Sequence, residues 1–221
     1  MSRRKELAAQ NTARTAARWF RPGEIEIEDA SVLWYDFDGS SKQHHRPEDN
    51  GRDGYVDIIL TPAMFDMIDQ YCQDRGAVCV VHEDNVYSEE ELKRNADLQQ
   101  VPIKFIDVKI NMFAARPPVI NHITKLEGQQ PQRTVLNGAE VGRLNKAMGN
   151  LECMDLRFRL YVNPNSLDKE SGKPRCSFYL TNAYVTEAEQ KLEYSGKYRP
   201  LDIDETDANG VTSDQINNAR N

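Results

Sequence analysis

Met154–Val162 reads MDLRFRLYV and alternates apolar and polar residues without a break. Successive side chains of a strand point to opposite faces, so Met154, Leu156, Phe158, Leu160 and Val162 enter a core while Asp155, Arg157, Arg159 and Tyr161 share the other side. An outer stripe of two guanidiniums and a phenol ring suits a phosphate backbone whose bases stack on aromatic side chains. The same stripe also fits an ordinary antiparallel strand with a solvated polar face, so its meaning depends on what surrounds it.

Working outward, Ile103 to Phe113 repeats the pattern: Ile106, Val108, Ile110 and Met112 on one face, Phe105, Asp107, Lys109, Asn111 and Phe113 on the other. Glu24–Glu28 alternates too, and the run extends through Val32 and Leu33 as one first strand ending in Trp34 and Tyr35. Further strands are expected over Tyr55–Leu60, Ala77–Val81, Val119–Leu126 and Arg175–Val185, the last forming a long-loop hairpin with the strand from Leu151. Thr61-Pro62 opens a helix with the threonine as N-cap and Phe65, Ile68 and Cys72 as its buried stripe. Ser88-Glu-Glu-Glu-Leu begins a short charged helix in an exposed insert, and Asn137–Met148 reads as a third helix with Glu140 as capping partner. Many strands, few helices and long polar connections predict a mainly β fold, an OB-like antiparallel barrel with inserted helices and flexible charged termini. Residues 1–22 are expected to be a basic flexible arm, 23–199 the β-barrel domain and 200–221 an acidic flexible tail.

The 221 residues carry a net charge of -7, with 39% hydrophobic and 29% charged residues. With a mean hydropathy of -0.71, that is the composition of a soluble protein. No apolar run approaches the roughly 18 residues of a membrane span, and the start of the chain lacks the apolar core of a secretory signal, which points to the cytoplasm and to no membrane partner. The charge is unevenly distributed. Residues 1–21 hold six cations against Glu6, whereas from Pro200 onward Asp202, Asp204, Glu205, Asp207 and Asp214 face only Arg220. Such end blocks act as interaction tails, basic for nucleic acid, acidic for proteins or for the chain's own basic groove.

Cys72, Cys79, Cys153 and Cys176 form no CxxC pair, so reduced thiols are expected, and neither a metal nor another cofactor is called for. Asp107-Val-Lys109 is the acid-x-Lys step that metal nucleases use, with Asp84 or Asp97 as the possible second carboxylate, but three residues make no motif. His44-His45 lies among carboxylates in a loop without calcium-site spacing. No phosphate-cradling glycine loop and no GxSxG is present, so no catalytic residue is assigned. The binding set is Arg157, Arg159, Lys109 and Arg175 for phosphates and Tyr161, Phe105, Phe113 and Trp34 for bases.

The order of Glu26-Ile-Glu-Asp-Ala-Ser-Val-Leu-Trp, Val119-Ile-Asn-His-Ile-Thr, Val135-Leu-Asn, Val141-Gly-Arg-Leu, Asp155-Leu-Arg-Phe-Arg-Leu-Tyr-Val-Asn-Pro and Ala183-Tyr-Val-Thr resembles the single-stranded DNA-binding proteins of tailed bacteriophages. These are small OB-fold proteins with an acidic C-terminal tail. The resemblance covers about residues 24–198 and implies non-catalytic coating of single-stranded DNA during phage replication or recombination. It also implies that Asp202, Asp204, Glu205 and Asp207 recruit replication or recombination proteins, and homo-oligomers are possible partners. A structural or protein-interaction phage component without nucleic-acid affinity is the alternative reading.

Overall fold

A computed structural model describes Lys5 and residues 15–40, 54–95, 97–138, 140–146 and 151–188. The acidic stretch from Asp202 to Asp207, the His44-His45 loop and the end of the third expected helix lie outside the described residues. The described elements belong to one compact unit within residues 1–189. The fold is mainly β, as expected: the described residues form eleven strands and three helices, in an OB-like sheet that does not close on itself.

The strands are β1 (Ala16–Arg21), β2 (Glu24–Glu28), β3 (Val32–Asp36), β4 (Gly54–Ile59), β5 (Val78–Cys79), β6 (His82–Asn85), β7 (Pro102–Ile110), β8 (Val119–Thr124), β9 (Gln132–Leu136), β10 (Leu151–Leu167) and β11 (Pro174–Glu187). The helices are α1 (Pro62–Gln73), α2 (Glu89–Arg94) and α3 (Arg143–Lys146). The main path across the sheet runs β1-β2-β10-β11-β7-β4-β3. β10 pairs antiparallel with β2 on one side and with β11 on the other. The second edge of β11 is shared in turn by β5, β7 and β8, all parallel to it.

Two expectations change here. The first strand is not one element, because Asp29 adopts φ 51°, a left-handed conformation that short polar residues tolerate, and its backbone N–H donates to Asp155 Oδ1 at 2.8 Å. That break sends β2 to β10 and β3 to the opposite end of the sheet. The basic arm also ends earlier than residue 22: Ala16–Arg21 is a strand paired with β2 around a turn whose Gly23 sits at φ 78°, a conformation glycine adopts without a Cβ penalty.

The core forms where the inward faces of the sheet meet α1. Ile25, Ile27, Val56, Ile58, Ile106, Val108, Ile110, Leu156, Phe158, Phe178 and Val185 fill it together with Met64, Ile68 and Cys72 from the helix. α1 starts as expected, with the Thr61 hydroxyl accepting from the Met64 N–H at 3.2 Å, but Met64 takes the buried position next to the half-buried Phe65. A second, smaller cluster of Leu33, Ile59, Val86, Ile103 and Phe105 lies apart from it, with Trp34 and Tyr87 packed against it. The insert between β6 and α2 is therefore not simply exposed, since Val86 buries itself over the sheet. α2 itself carries a complete capping box between Ser88 and Glu91.

Phe158 is fully buried and meets Phe178 edge-on at 5.9 Å, whereas Phe113 is 81% exposed. Phe158→Ala is expected to cost about 3–5 kcal/mol in denaturant unfolding. Phe113→Ala should stay within about 0.5 kcal/mol of the parent protein in the same measurement.

Candidate nucleic-acid interface

The outward residues of β10 follow the alternation in the sequence, and the register carries that face across the neighbouring strands. Arg159 pairs with Glu24 of β2 and Tyr179 of β11; Tyr179 pairs with Lys109 of β7, and Lys109 with Tyr55 of β4. A row Glu24-Arg159-Tyr179-Lys109-Tyr55 thus crosses five strands on one face. Its cation and ring positions stand about 4.8 Å apart, the spacing of hydrogen-bonded strands. Tyr161, 51% exposed, lies one step along β10 from Arg159 and meets the Tyr179 ring edge-on at 6.3 Å. Arg175 stands further along β11, opposite Asn163.

The cations of this face differ in how far they are committed. Arg157 is held: its Nη2 donates to Glu26 Oε1 at 2.6 Å, and its guanidinium lies 3.4 Å from the centroid of the Phe20 ring. Arg18 reaches the same carboxylate at 2.6 Å and Glu28 at 2.9 Å. These two arginines hold the Glu26 carboxyl below its usual range, the hydrogen bond from Arg157 being the larger cause. Arg21 pairs with the buried Glu24, which also accepts from the Thr181 hydroxyl at 2.6 Å. Arg159 stands 3.9 Å from Glu24, with more than half of its side chain exposed, a loose pair that leaves its donors toward solvent. Arg175 meets Asp168 at 3.5 Å, and Lys5 of the basic arm meets Asp84 at 2.5 Å.

Three aromatic assignments need correction. Phe105 is buried in the second cluster, 5.3 Å from the His82 ring, so its surface is used in packing and is not offered to a base. Trp34 packs against the same cluster and pairs with Asp57 of β4, two strands beyond Tyr179 and one step along from Tyr55. Phe113 is exposed but not on the strand: β7 ends at Ile110, and the Asn111 side chain accepts from the Phe113 N–H at 3.0 Å, turning the chain. The rings that sequence alternation did not supply are Tyr179 and Tyr55, brought to Lys109 by parallel and antiparallel partners that no local pattern reveals. Phe20 is a further one, 47% exposed beyond its contact with Arg157.

The acid-x-Lys step has a different second carboxylate from those expected. Asp57, not Asp84 or Asp97, is the register partner of Asp107, while Asp84 is paired with Lys5. Among the described residues no group of three or more His, Cys, Asp or Glu side chains is arranged to hold a metal ion, and no helix is long and apolar enough to cross a membrane.

No family model matches the chain, and no curated protein matches it. A search of solved structures finds a single-stranded DNA-binding protein from bacteriophage Enc34, C-terminal truncation, at 9% identity and a TM-score of 0.44, covering 81% of this chain and 98% of that one. Function is therefore argued from this chain's own residues.

Because Glu26 is held below its ordinary range in the folded protein, its stabilising pairs are fully present above the unfolded-state value, about 4.3, and are lost as pH falls through the lower folded value. Urea midpoints of the parent protein should fall more steeply below about pH 4.5 than those of Glu26→Gln, which lacks that titration. Parallel acid limbs for the two proteins would show that the carboxylate is not stabilised by its arginines.

Proposed function

We propose that the protein binds single-stranded DNA on the outer face of β10, β11 and β7, largely without sequence preference and without catalysis. The observation that carries this reading is the row Arg159-Tyr179-Lys109, flanked by Tyr161, in which point cations and ring faces alternate at strand spacing. Cations take phosphates and rings take bases whatever their identity, which is the chemistry that sequence-tolerant strand binding requires. Arg175 extends the cationic path along β11, while Arg157, committed to Glu26 and Phe20, mainly positions the strand beside it. The biological role we assign is strand coating during phage DNA replication or recombination, with the acidic residues Asp202, Asp204, Glu205 and Asp207 as the contact for partner proteins.

Fluorescence anisotropy of a labelled single strand of about 30 nucleotides, at several salt concentrations and against duplex competitor, tests the reading. Salt-sensitive binding that prefers the single strand is expected. Arg159→Ala and Lys109→Ala should each weaken it and reduce the salt slope by up to about one. Tyr179→Ala and Tyr161→Ala should each cost about 1–3 kcal/mol while leaving that slope nearly unchanged. Absence of binding at low salt would refute the proposal and leave an assembly role.

A further inference from the structure

Three of the four cysteines converge on one place in the core, on the opposite face of β11 from Arg175. Cys79 of β5 and Cys176 of β11 are register partners in a parallel ladder. Such partners have Cα atoms about 4.8 Å apart, inside the roughly 4.4–6.8 Å window of a disulfide. Cys72, in the last turn of α1, lies within hydrogen-bond reach of both thiols. α1 packs on β5, and the Ala77 N–H donates to the Cys72 carbonyl at 2.9 Å, so the helix end and the strand are tied together. Cys72 and Cys176 are buried, and Cys79 is half-buried, which makes Cys79 the member of the group that a small solute reaches. All four cysteines are free thiols here.

We propose that Cys79 and Cys176 are an oxidation site that hydrogen peroxide closes to a disulfide between β5 and β11. Cys79 is the thiol that peroxide reaches first, because Cys72 and Cys176 are buried. As the Cys79 sulfur attacks one peroxide oxygen, the O–O bond breaks and the leaving hydroxide takes the thiol proton as water. The Cys176 sulfur then attacks the sulfenic sulfur of Cys79; the S–S bond forms, the S–O bond breaks, and the hydroxyl departs as water with the Cys176 proton. Two electrons pass from the thiols to the peroxide. The step depends on the thiol cluster alone and is independent of nucleic-acid binding.

Folded protein treated with excess hydrogen peroxide, alkylated and digested without reduction, is expected to yield a peptide pair joined through Cys79 and Cys176, with Cys153 alkylated. Cys176→Ser should instead leave a sulfenic acid at Cys79 that a dimedone probe labels. Cys72→Ser should still form the cross-link, circular dichroism confirming that each variant is folded. An unlinked pair in the parent protein, a disulfide that holds Cys72 instead, an unlabelled Cys79 in Cys176→Ser, or an unlinked pair in folded Cys72→Ser would each overturn the proposal.

Discussion

The registration of β10 between β2 and β11 is the constraint on which the rest of the structure depends. Leu156, Phe158 and Leu160 are buried only in the register that also sets Arg157 against Glu26 and Arg159 against Glu24. Side chains alternate with a period of two, so a slip of one residue would expose three large apolar groups and push two guanidiniums into the core. Both faces of β10 therefore enforce the same answer. The two neighbours then inherit their positions: Ile25 and Ile27 of β2 and Phe178 and Leu180 of β11 enter the core, and everything beyond β11 is placed by its second edge.

That arrangement grades the outer face electrostatically. β2 carries Glu24, Glu26 and Glu28, and they absorb Arg18, Arg21 and Arg157 in ion pairs. Past β10 the acids give way: Tyr179 and Lys109 come next, Arg159 meets a carboxylate 3.9 Å away that Arg21 already engages, and acids return beyond them as Asp107 of β7, Asp57 of β4 and Asp36 of β3. A chain with a net charge of -7 thus presents a local cationic and aromatic strip, not a basic surface. Attraction from such a strip is short-ranged at physiological salt, where charges separated by more than about 8 Å are largely screened, so rings must supply much of any affinity.

The alternation on β10, the fold class, the start of α1 and the capping of α2 were all legible in the sequence, because each is a statement about neighbours a few residues apart. The strand order was not. Nothing in Glu24–Glu28 says that it lies beside Arg157 and Arg159, 131 to 135 positions later, and so the neutralising acids were invisible beside the cations they neutralise. Phe105 failed for a related reason. Its alternation with Ile106 and Val108 was correct, but the outward face at that end of β7 is roofed by Val86, whose insert reads as polar and exposed. Tyr179 sat in plain view in its own strand and gained meaning only when β7 was found parallel to β11 with Lys109 at its side.

Arg157 shows how a residue can be read correctly and still be used differently. A guanidinium offers two faces and five donors, and here one face rests on Phe20 while a donor meets Glu26 at 2.6 Å. Phe20 reaches it by alternation, sharing the outer face with Arg18 while Trp19 between them packs on Tyr71 of α1. The pair with Glu26 is partly open to solvent, and pairs of that kind contribute at most about 1 kcal/mol. Glu26 and Phe20 therefore fix Arg157 at the border of the strip, where it ties β10 to β2.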